Sequence, residues 1–431
     1  MDYQEATKYL YDALPMFQRI GNPAFKKDLS NTIALCKYLN EPQKNFPSVH
    51  IAGTNGKGSS AHSIAAVLQE AGYKTGLYTS PHLKDFTERI RINGQPIEQQ
   101  SVIDFVVQHR DFVDKLKPSF FETTVAMAFD YFSREKVDIA VIEVGMGGRF
   151  DSTNVIQPVL SLITHIGLDH TAFLGDTLEK IAFEKAGIIK AGIPVMIGER
   201  QSATQEVFEE IARGKESPLY YAQDTYQVDI AEIIDGKYTV NVEKEGKLIF
   251  QDLSISLGAH YQLKNLPGIL KSVDLLAELG YRIEHEHIRS ALGKVSQLTG
   301  LKGRWQVIHK KPLIICDTGH NQGAFDEIGI QLKHIQYDQL YVVIGMNEDK
   351  DPETLLSRLP KNAHYFFCQA DLPRAMPADV LAQKARQAGF EGESFKQVNA
   401  AYRRAKELAN ENDCIFVGGS TFVVAEIEDL T

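Results

Sequence analysis

Short apolar runs alternate with longer amphipathic stretches along most of the chain. Four early runs have the length and β-branched content of strands buried on both faces: residues 49–53 (VHIAG), 137–145 (VDIAVIEVG), 158–167 (PVLSLITHIG) and 193–198 (IPVMIG). Helical patterns between them cover residues 57–72, 121–136 and 176–190. This alternation predicts βαβ units and a mainly parallel sheet.

This pattern of alternating strands and helices stops at residues 226–257, where single apolar and polar residues alternate around the turn signals DGK and KEGK. This pattern predicts a small antiparallel meander. A helical region follows from about residue 262 to residue 291. Four further strand-like runs then alternate with helices, at residues 312–317, 340–345, 363–368 and 413–419. We therefore predict an α/β protein with an N-terminal domain of residues 1–297 and a smaller α/β domain of residues 298–431.

Composition excludes several classes of protein. The 431 residues are 43% hydrophobic and 24% charged, which argues against disorder and coiled coil. A net charge of −10 makes the chain a poor candidate for a general nucleic-acid binder. Its four cysteines form no CxxC pair, so neither a disulfide framework nor a cysteine zinc site is predicted. With no signal-peptide pattern and no apolar run suited to a membrane span, we expect a cytoplasmic protein.

The sharpest local feature is residues 53–60 (GTNGKGSS), between a predicted strand and a predicted helix. Backbone N–H groups of such a glycine-rich turn cradle phosphate, and the helix N-terminus adds positive potential. Lys57 is placed to reach the terminal phosphates, and Ser59 or Ser60 to offer a hydroxyl to phosphate or Mg²⁺. The P-loop pattern has Ser or Thr after its lysine, whereas Gly58 stands here. The alternative is a glycine-rich turn that caps a buried helix.

Two further strand ends carry candidate metal ligands. Glu143 lies near the end of a predicted buried strand, and Asp169 and His170 follow the next one, so all three are expected at the ligand-binding edge of the sheet. One or two carboxylates plus ATP phosphates suffice for Mg²⁺. Glu143 bonded to backbone amides and His170 as a plain hydrogen-bonding histidine are the alternatives. Lys185 lies in an apolar helical stretch, although a solvated surface position is the commoner case for lysine.

Taken together, the motifs resemble the folylpolyglutamate synthase and dihydrofolate synthase family of the Mur ligase superfamily. The matching pieces occur in the family's order: GTNGKGS (53–59), YTSPHL (78–83), TERIRING (87–94), EVGMGGRFDSTNV (143–155), DHTAFLGDTLEKIAFEKAGIIK (169–190), HYQLKN (260–265), GR (303–304), DTGHN (317–321) and GGS (418–420). The resemblance implies an N-terminal P-loop ATPase domain followed by a C-terminal glutamate-ligase domain.

The resemblance also implies roles for individual residues. ATP contacts are expected at Gly53, Thr54, Asn55, Gly56, Lys57, Gly58, Ser59, Asn265, Arg304 and Asp317. Mg²⁺ ligands are expected at Ser80, Glu143 and His170. Lys185 matches a lysine that is often carbamylated, and His320 and Ser420 match residues near the acyl acceptor and glutamate. Lys57, Lys185 and His320 are the implied catalytic residues.

These roles predict an ATP-dependent ligase that joins L-glutamate to dihydropteroate and to the γ-carboxyl of folate glutamate tails through an acyl phosphate. The family resemblance also implies a monomer. Three alternatives remain open at this point. The first is a folylpolyglutamate synthase with that single activity, and the second is a Mur ligase acting on a UDP-linked precursor. The third belongs to another class, a regulatory P-loop ATPase without ligase activity.

Overall fold

The computed structural model describes residues 1–15, 28–234 and 237–430. The chain forms two compact units. Unit 1 comprises Met1–Ser256 and Gln262–Leu301, and unit 2 comprises Leu257–Tyr261 and Lys302–Thr431.

An eight-stranded sheet forms the centre of unit 1. Its strands are β1 (Ser48–Ala52), β2 (Thr75–Tyr78), β3 (Ile90–Ile92), β4 (Gln95–Pro96), β5 (Ile139–Glu143), β6 (Leu160–Ile163), β7 (Val195–Ile197) and β8 (Leu219–Tyr221). The strand order is β4-β3-β2-β5-β1-β6-β7-β8, with β3 and β4 antiparallel and the remaining pairs parallel. The carboxyl ends of β2, β5, β1 and β6 therefore lie side by side, as the alternating pattern predicts.

Helices cover this sheet. They are α1 (Tyr3–Ala13), α2 (Ser30–Tyr38), α3 (Lys57–Glu70), α4 (Gln99–Leu116), α5 (Phe120–Arg134), α6 (Thr171–Leu174), α7 (Leu178–Lys185) and α8 (Ser202–Gly214). One apolar core contains buried residues of α1, α2, α4 and α5, and another contains those of α7 and α8. Helix α5 begins with a capping box, in which Ser119 and Glu122 each accept a backbone N–H of the other.

The predicted meander is present. Strands β9 (Tyr226–Ile234), β10 (Lys237–Lys244) and β11 (Lys247–Ile255) form a separate antiparallel sheet in the order β11-β10-β9. The predicted DGK turn includes residues 235 and 236, which lie outside the described residues. The helical region that follows consists of α9 (His260–Glu278), α10 (His285–Leu292) and α11 (Val295–Thr299).

Unit 2 is built on a six-stranded sheet. Its strands are β12 (Gln306–Lys310), β13 (Leu313–Cys316), β14 (Leu340–Ile344), β15 (His364–Cys368), β16 (Gly392–Phe395) and β17 (Cys414–Gly418), in the order β12-β13-β17-β14-β15-β16. Only β12 pairs antiparallel. The helices are α12 (Gln322–His334), α13 (Pro352–Leu356), α14 (Ala378–Gln387), α15 (Val398–Leu408) and α16 (Thr421–Glu426). The predicted α/β class is thus confirmed.

Two predicted helices differ from the observed ones. The stretch predicted as one helix over residues 176–190 is helical as α7 only to Lys185 and then tightens into a short 3₁₀ turn, Ala186–Ile188. The region from 262 to 291 is interrupted after Glu278, and α9 begins two residues earlier than predicted, at His260. Within the described parts of the chain, no helix combines the length and apolar character needed to cross a bilayer.

Gly329 offers a test of packing in unit 2. A Cβ added there would lie 2.0 Å from the backbone oxygen of Arg358, an atom that cannot swing aside. We expect Gly329→Ala to lower the free energy of unfolding by about 1–3 kcal/mol, the usual cost of overpacking, as measured by urea unfolding. Gly214→Ala is the matched control, because Gly214 also lies in a helix and nothing lies within 4 Å of its added Cβ. Equal stability of the two variants would contradict this packing argument.

Candidate functional site

The loop between β1 and α3 is fixed to the segment that follows β6. The Thr54 N–H donates to the His165 carbonyl at 2.7 Å. The Thr54 hydroxyl donates to the Gly167 carbonyl and accepts the Gly167 N–H, each at 3.0 Å. Gly56 has φ +90°, and a Cβ there would come 2.4 Å from Asn265 Oδ1, so both backbone conformation and space favour glycine. The loop is thus anchored at the N-terminus of a buried helix.

Two lysines converge on one carbonyl of this loop. Lys57 Nζ donates to the Gly53 and Thr54 carbonyls at 2.9 and 3.0 Å, and Lys185 Nζ donates to the Gly53 carbonyl at 2.8 Å. The expectation of a solvated Lys185 is wrong, since only 4% of it is exposed. Burial and then the charge of Lys57 lower the pKa of Lys185 well below its ordinary value, against the opposing effect of nearby Asp169 and Asp151.

Ser80 and Glu143 lie together at the ends of the neighbouring strands β2 and β5. The Ser80 N–H donates to Glu143 Oε2 at 3.0 Å, and Glu143 is 4% exposed. Glu143 therefore does accept a hydrogen bond from a backbone amide, as the alternative interpretation of this residue expected, and this bond is one of its contacts. The buried Glu143 carboxylate is a hard oxygen donor that suits a divalent cation with phosphate and water as its other ligands, and Ser80 lies next to it through its backbone N–H.

His170 lies beyond β6, at the start of α6, with its backbone in the left-handed region at φ +50°. The backbone N–H of His170 donates to the Asp169 carboxylate at 2.9 Å, and the His170 side chain is 35% exposed. Across the ranges that the structure describes, no three His, Cys, Asp or Glu side chains form a group able to hold a metal. The structure therefore brings Ser80 and Glu143 together, while the metal role of His170 stays a prediction.

Buried polar residues that sequence reasoning missed hold the loop after β5. Asp151 accepts the Met146 N–H at 2.9 Å and the Thr153 N–H and hydroxyl at 3.0 and 2.5 Å. Thr153 Oγ1 in turn lies 2.8 Å from His50 Nε2, and burial lowers the pKa of His50 to about 3. Because the Thr153 hydroxyl donates its proton to Asp151, it accepts the Nε2–H of His50. The sequence signal was a histidine in the middle of an otherwise apolar strand.

A buried arginine–histidine pair holds the loop that carries Ser80. Arg89, 2% exposed, donates from Nε to His82 Nδ1 at 2.7 Å, and its guanidinium lies 5.1 Å from the centre of the Phe120 ring. His82 Nε2 lies 3.3 Å from the hydroxyl of Tyr11 in α1. Since Nδ1 accepts from arginine, Nε2 carries the proton and donates to Tyr11. Both His82 and Arg89 occur in motifs that carry the family resemblance, but neither was assigned a role.

In unit 2, Asp317 lies at the end of β13 and organises the loop around it. Its carboxylate accepts from the Tyr261 hydroxyl at 2.6 Å, the Trp305 N–H at 2.8 Å and the Gly319 N–H at 2.7 Å. Burial raises the pKa of Asp317, while these bonds and the charge of Arg304 oppose the rise. Tyr261 was not singled out from the sequence, although it lies in the HYQLKN motif.

His320 and Ser420 follow β13 and β17, which are neighbouring parallel strands of unit 2. His320 Nδ1 lies 3.1 Å from the Thr318 carbonyl, which fixes its proton on that nitrogen. The Ser420 hydroxyl accepts the Val423 N–H at 3.2 Å and so caps α16. These two hydrogen bonds are local, and the roles of both residues toward a substrate stay predictions.

Two family models match the chain. The Mur ligase middle domain matches residues 51–266, and the Mur ligase glutamate ligase domain matches residues 303–421.

Individual relatives match over nearly the whole chain. A dihydrofolate synthase/folylpolyglutamate synthase of Bacillus subtilis is 32% identical, over 99% of this chain and 98% of its own. A probable bifunctional folylpolyglutamate synthase/dihydropteroate synthase of Haloferax volcanii is 34% identical over 99% of this chain, which spans about half (50%) of that longer relative.

Solved structures agree with these relatives. Escherichia coli FolC in complex with DHPP and ADP has a TM-score of 0.86 at 26% identity, covering 99% of this chain and 96% of that one. The Yersinia pestis bifunctional folylpolyglutamate synthase/dihydrofolate synthase with Mn, AMPPNP and L-glutamate bound has a TM-score of 0.83 at 26% identity, covering 99% and 97%. With the glycine-rich loop, the Glu143 strand end and the Asp317 loop all present, this chain belongs to the folylpolyglutamate synthase/dihydrofolate synthase family of Mur ligases.

Proposed function

We propose that this protein is an ATP-dependent ligase that joins the amino group of L-glutamate to the carboxyl group of dihydropteroate and to the γ-carboxyl of folate glutamate tails. The observation that carries the proposal is the glycine-rich loop at the N-terminus of α3, with Lys57 and the buried Lys185 both bonded to its Gly53 carbonyl. The relatives named for these two activities, and the E. coli FolC structure with DHPP and ADP, supply the substrate class.

The chemistry explains why such a loop is needed. A carboxylate resists attack by an amine, because its oxygen is a poor leaving group. In the proposed reaction a carboxylate oxygen attacks the γ-phosphorus of ATP, ADP leaves, and an acyl phosphate forms. The glutamate amine then attacks the carbonyl carbon, a proton is lost, and phosphate departs as the amide forms. Lys57 neutralises charge on the transferred phosphoryl group.

We assign nucleotide binding to residues 53–59 together with Asn265 in unit 1, and to Arg304 and Asp317 in unit 2. In this proposal residues 1–297 form the P-loop ATPase domain, and residues 298–431 form the glutamate-ligase domain, which also contributes Arg304 and Asp317 to nucleotide binding. His320 and Ser420 are assigned to the acyl acceptor and glutamate. In well-oriented intramolecular reactions, alignment of the two reactants lowers the activation free energy by roughly 7–11 kcal/mol. An enzyme that binds both reactants side by side can lower its barrier on the same scale.

The proposal includes a divalent cation, with Mg²⁺ as the expected ion. Ser80, Glu143 and His170 would hold it. The paired Ser80 and Glu143 fit a hard cation, and the Yersinia structure with Mn and AMPPNP supports divalent metal use in this family. When bound, the ion would neutralise phosphate charge.

Lys185 is proposed to react with CO₂. The reaction is R–NH₂ + CO₂ → R–NH–COO⁻ + H⁺, so it requires the neutral amine. Burial beside Lys57 lowers the pKa of Lys185 and so favours that neutral form. The product would place a carboxylate next to the phosphate loop and close to the Lys57 ammonium group.

Lys57→Ala tests the phosphate loop. We expect ligation to fall on the order of 100-fold or more, since removal of one charge-stabilising group typically costs that much, with the thermal unfolding midpoint little changed. The measurement is phosphate release with dihydropteroate plus glutamate, and then with tetrahydrofolate plus glutamate. Lys44→Ala is the control, because its side chain is 64% exposed and pairs with Glu41.

The wild-type protein in the same assay separates the competing functions. Phosphate release that depends on glutamate and a pterin supports the proposal. Release with only one of the two pterin substrates, dihydropteroate or tetrahydrofolate, would show that the enzyme has a single activity. Release that needs only ATP would indicate a regulatory ATPase, and release with a UDP-linked cell-wall precursor would indicate the other kind of Mur ligase. Normal turnover by Lys57→Ala would overturn the phosphate-loop assignment.

Glu143→Ala tests the metal assignment. Loss of the carboxylate should shift the Mg²⁺ midpoint of phosphate release at least tenfold upward, because the cation loses its charged protein ligand. Glu135→Ala serves as control, since Glu135 is a 45% exposed partner of Lys74. Superimposable Mg²⁺ titrations of wild type and Glu143→Ala would reject the metal role.

The CO₂ reaction is tested with isotopically labelled bicarbonate and carbon NMR. We expect one carbamate signal in the wild type and none in Lys185→Met, because one buried amine with a strongly lowered pKa reacts. Lys190→Met should keep the signal, although burial also lowers the pKa of Lys190, to about 8. A wild-type spectrum without the signal, or a signal that persists in Lys185→Met, would show that Lys185 is not carbamylated.

A further inference from the structure

Gln262, in the first turn of α9, lies against the phosphate loop. Its Nε2 donates to the Ser59 hydroxyl at 3.0 Å, and its Oε1 accepts from Asn265 Nδ2 at 3.1 Å. Gln262 is 4% exposed and Ser59 is 2% exposed, so water does not readily replace the bond between them. Three polar side chains therefore form one chain of hydrogen bonds from α9 to the third residue of α3, and its Gln262–Ser59 link is buried.

The direction of these bonds follows from the groups involved. The Asn265 NH₂ group donates to Gln262, and the Gln262 NH₂ group donates to Ser59. An amide N–H has no lone pair to accept with, so the Ser59 oxygen is the acceptor in this bond. Its own O–H is left to donate to another group. In this orientation Asn265 Oδ1 faces Gly56, where an added Cβ would lie 2.4 Å away.

Ser60, the neighbouring candidate hydroxyl, has a different environment. Ser60 lines a small pocket with His165, Glu199, Lys264 and other residues of unit 1. Its buried Oγ has no hydrogen-bond partner among the described residues. The two serines that the sequence left as alternatives are therefore distinguished, because only the Ser59 hydroxyl is oriented by a buried amide.

We infer that Gln262 is a positioning residue of the nucleotide site, which holds the Ser59 hydroxyl so that its O–H is directed as a donor to a phosphate oxygen of the nucleotide. This inference rests on the proposed nucleotide-binding function of the loop. Gln262 acts through Ser59 and Asn265 and does not itself need to touch the ligand. The bond to Asn265 fixes the orientation of the Gln262 amide, since a flipped amide would set two NH₂ groups against each other.

Two substitutions separate this role from simple packing. Gln262→Met keeps the length of the side chain but cannot donate, and we expect ADP binding to weaken about fivefold, as for loss of one buried hydrogen bond. Gln262→Glu keeps the shape but replaces the donor with a carboxylate that accepts from Ser59 and adds negative charge beside the phosphates. We expect that variant to bind ADP at least tenfold more weakly than Gln262→Met.

The measurement is ADP binding to the full-length protein by titration calorimetry with Mg²⁺ present, together with KM for ATP and for glutamate. KM for ATP should rise while KM for glutamate stays within twofold. Gln43→Met is the matched control, because Gln43 is also a buried glutamine but lies in the short turn Pro42–Lys44, before β1. Gln262→Leu replaces Gln262→Met if the latter fails to fold.

A double-mutant cycle with Ser59→Ala gives the decisive result. Because Gln262 is inferred to act through Ser59, Gln262→Met should weaken ADP binding by less than twofold further in the Ser59→Ala background. Equal effects of Gln262→Met in both backgrounds would overturn the inference, and so would an unchanged affinity in Ser59→Ala or in both Gln262 variants. Absence of ADP binding by the wild type would instead refute the proposed function.

Discussion

Two lysine side chains share the carbonyl oxygen of Gly53, and the chemistry of the phosphate loop depends on this arrangement. Lys57 and Lys185 lie 2.9 and 2.8 Å from that oxygen, and Lys185 is almost fully buried. Two ammonium groups so placed repel each other with little water to screen them. Either an anion enters between them or one amine loses its charge. Phosphate binding would meet the first condition and reaction of Lys185 with CO₂ would meet the second, so both proposals for this loop address the same electrostatic repulsion.

The sheet explains how such residues meet. The strand order β2-β5-β1-β6 places the segments that carry Ser80, Glu143, the phosphate loop and Asp169 at one edge, although they are far apart in sequence. The whole chain carries a net charge of −10, and ATP, folates and glutamate are all anions. Long-range attraction therefore does not account for binding. Local cations and backbone N–H groups at this edge must provide it.

The sequence allowed the fold and part of the site to be predicted, because both rest on local patterns. Apolar strands ending in Gly, Glu or His place those residues at the carboxyl edge. Ser80 was expected there only from the family resemblance, and its contact with Glu143 depends on the observed pairing of β2 with β5. Burial was harder to predict. Lys185 reads as an ordinary helical lysine, and its burial depends on which face of α7 packs on the loop. Arg89 and His82 were missed for the same reason, since the pair forms only when the loop after β2 folds back toward β3.

Helix α9 shows most clearly why adjacent residues need separate structural evidence. Successive residues of a helix point about 100° apart, so neighbours in sequence face different surroundings. Tyr261 belongs to unit 2 and donates to Asp317, whereas Gln262 belongs to unit 1 and donates to Ser59. Each bond lies within its own unit, and each orients a residue assigned to nucleotide binding. The motif HYQLKN thus joins three polar side chains with distinct tasks, of which the sequence pointed only to Asn265. A contact made through a donor such as Gln262 has no signature of its own in a single sequence, because any buried polar residue of similar size produces the same pattern.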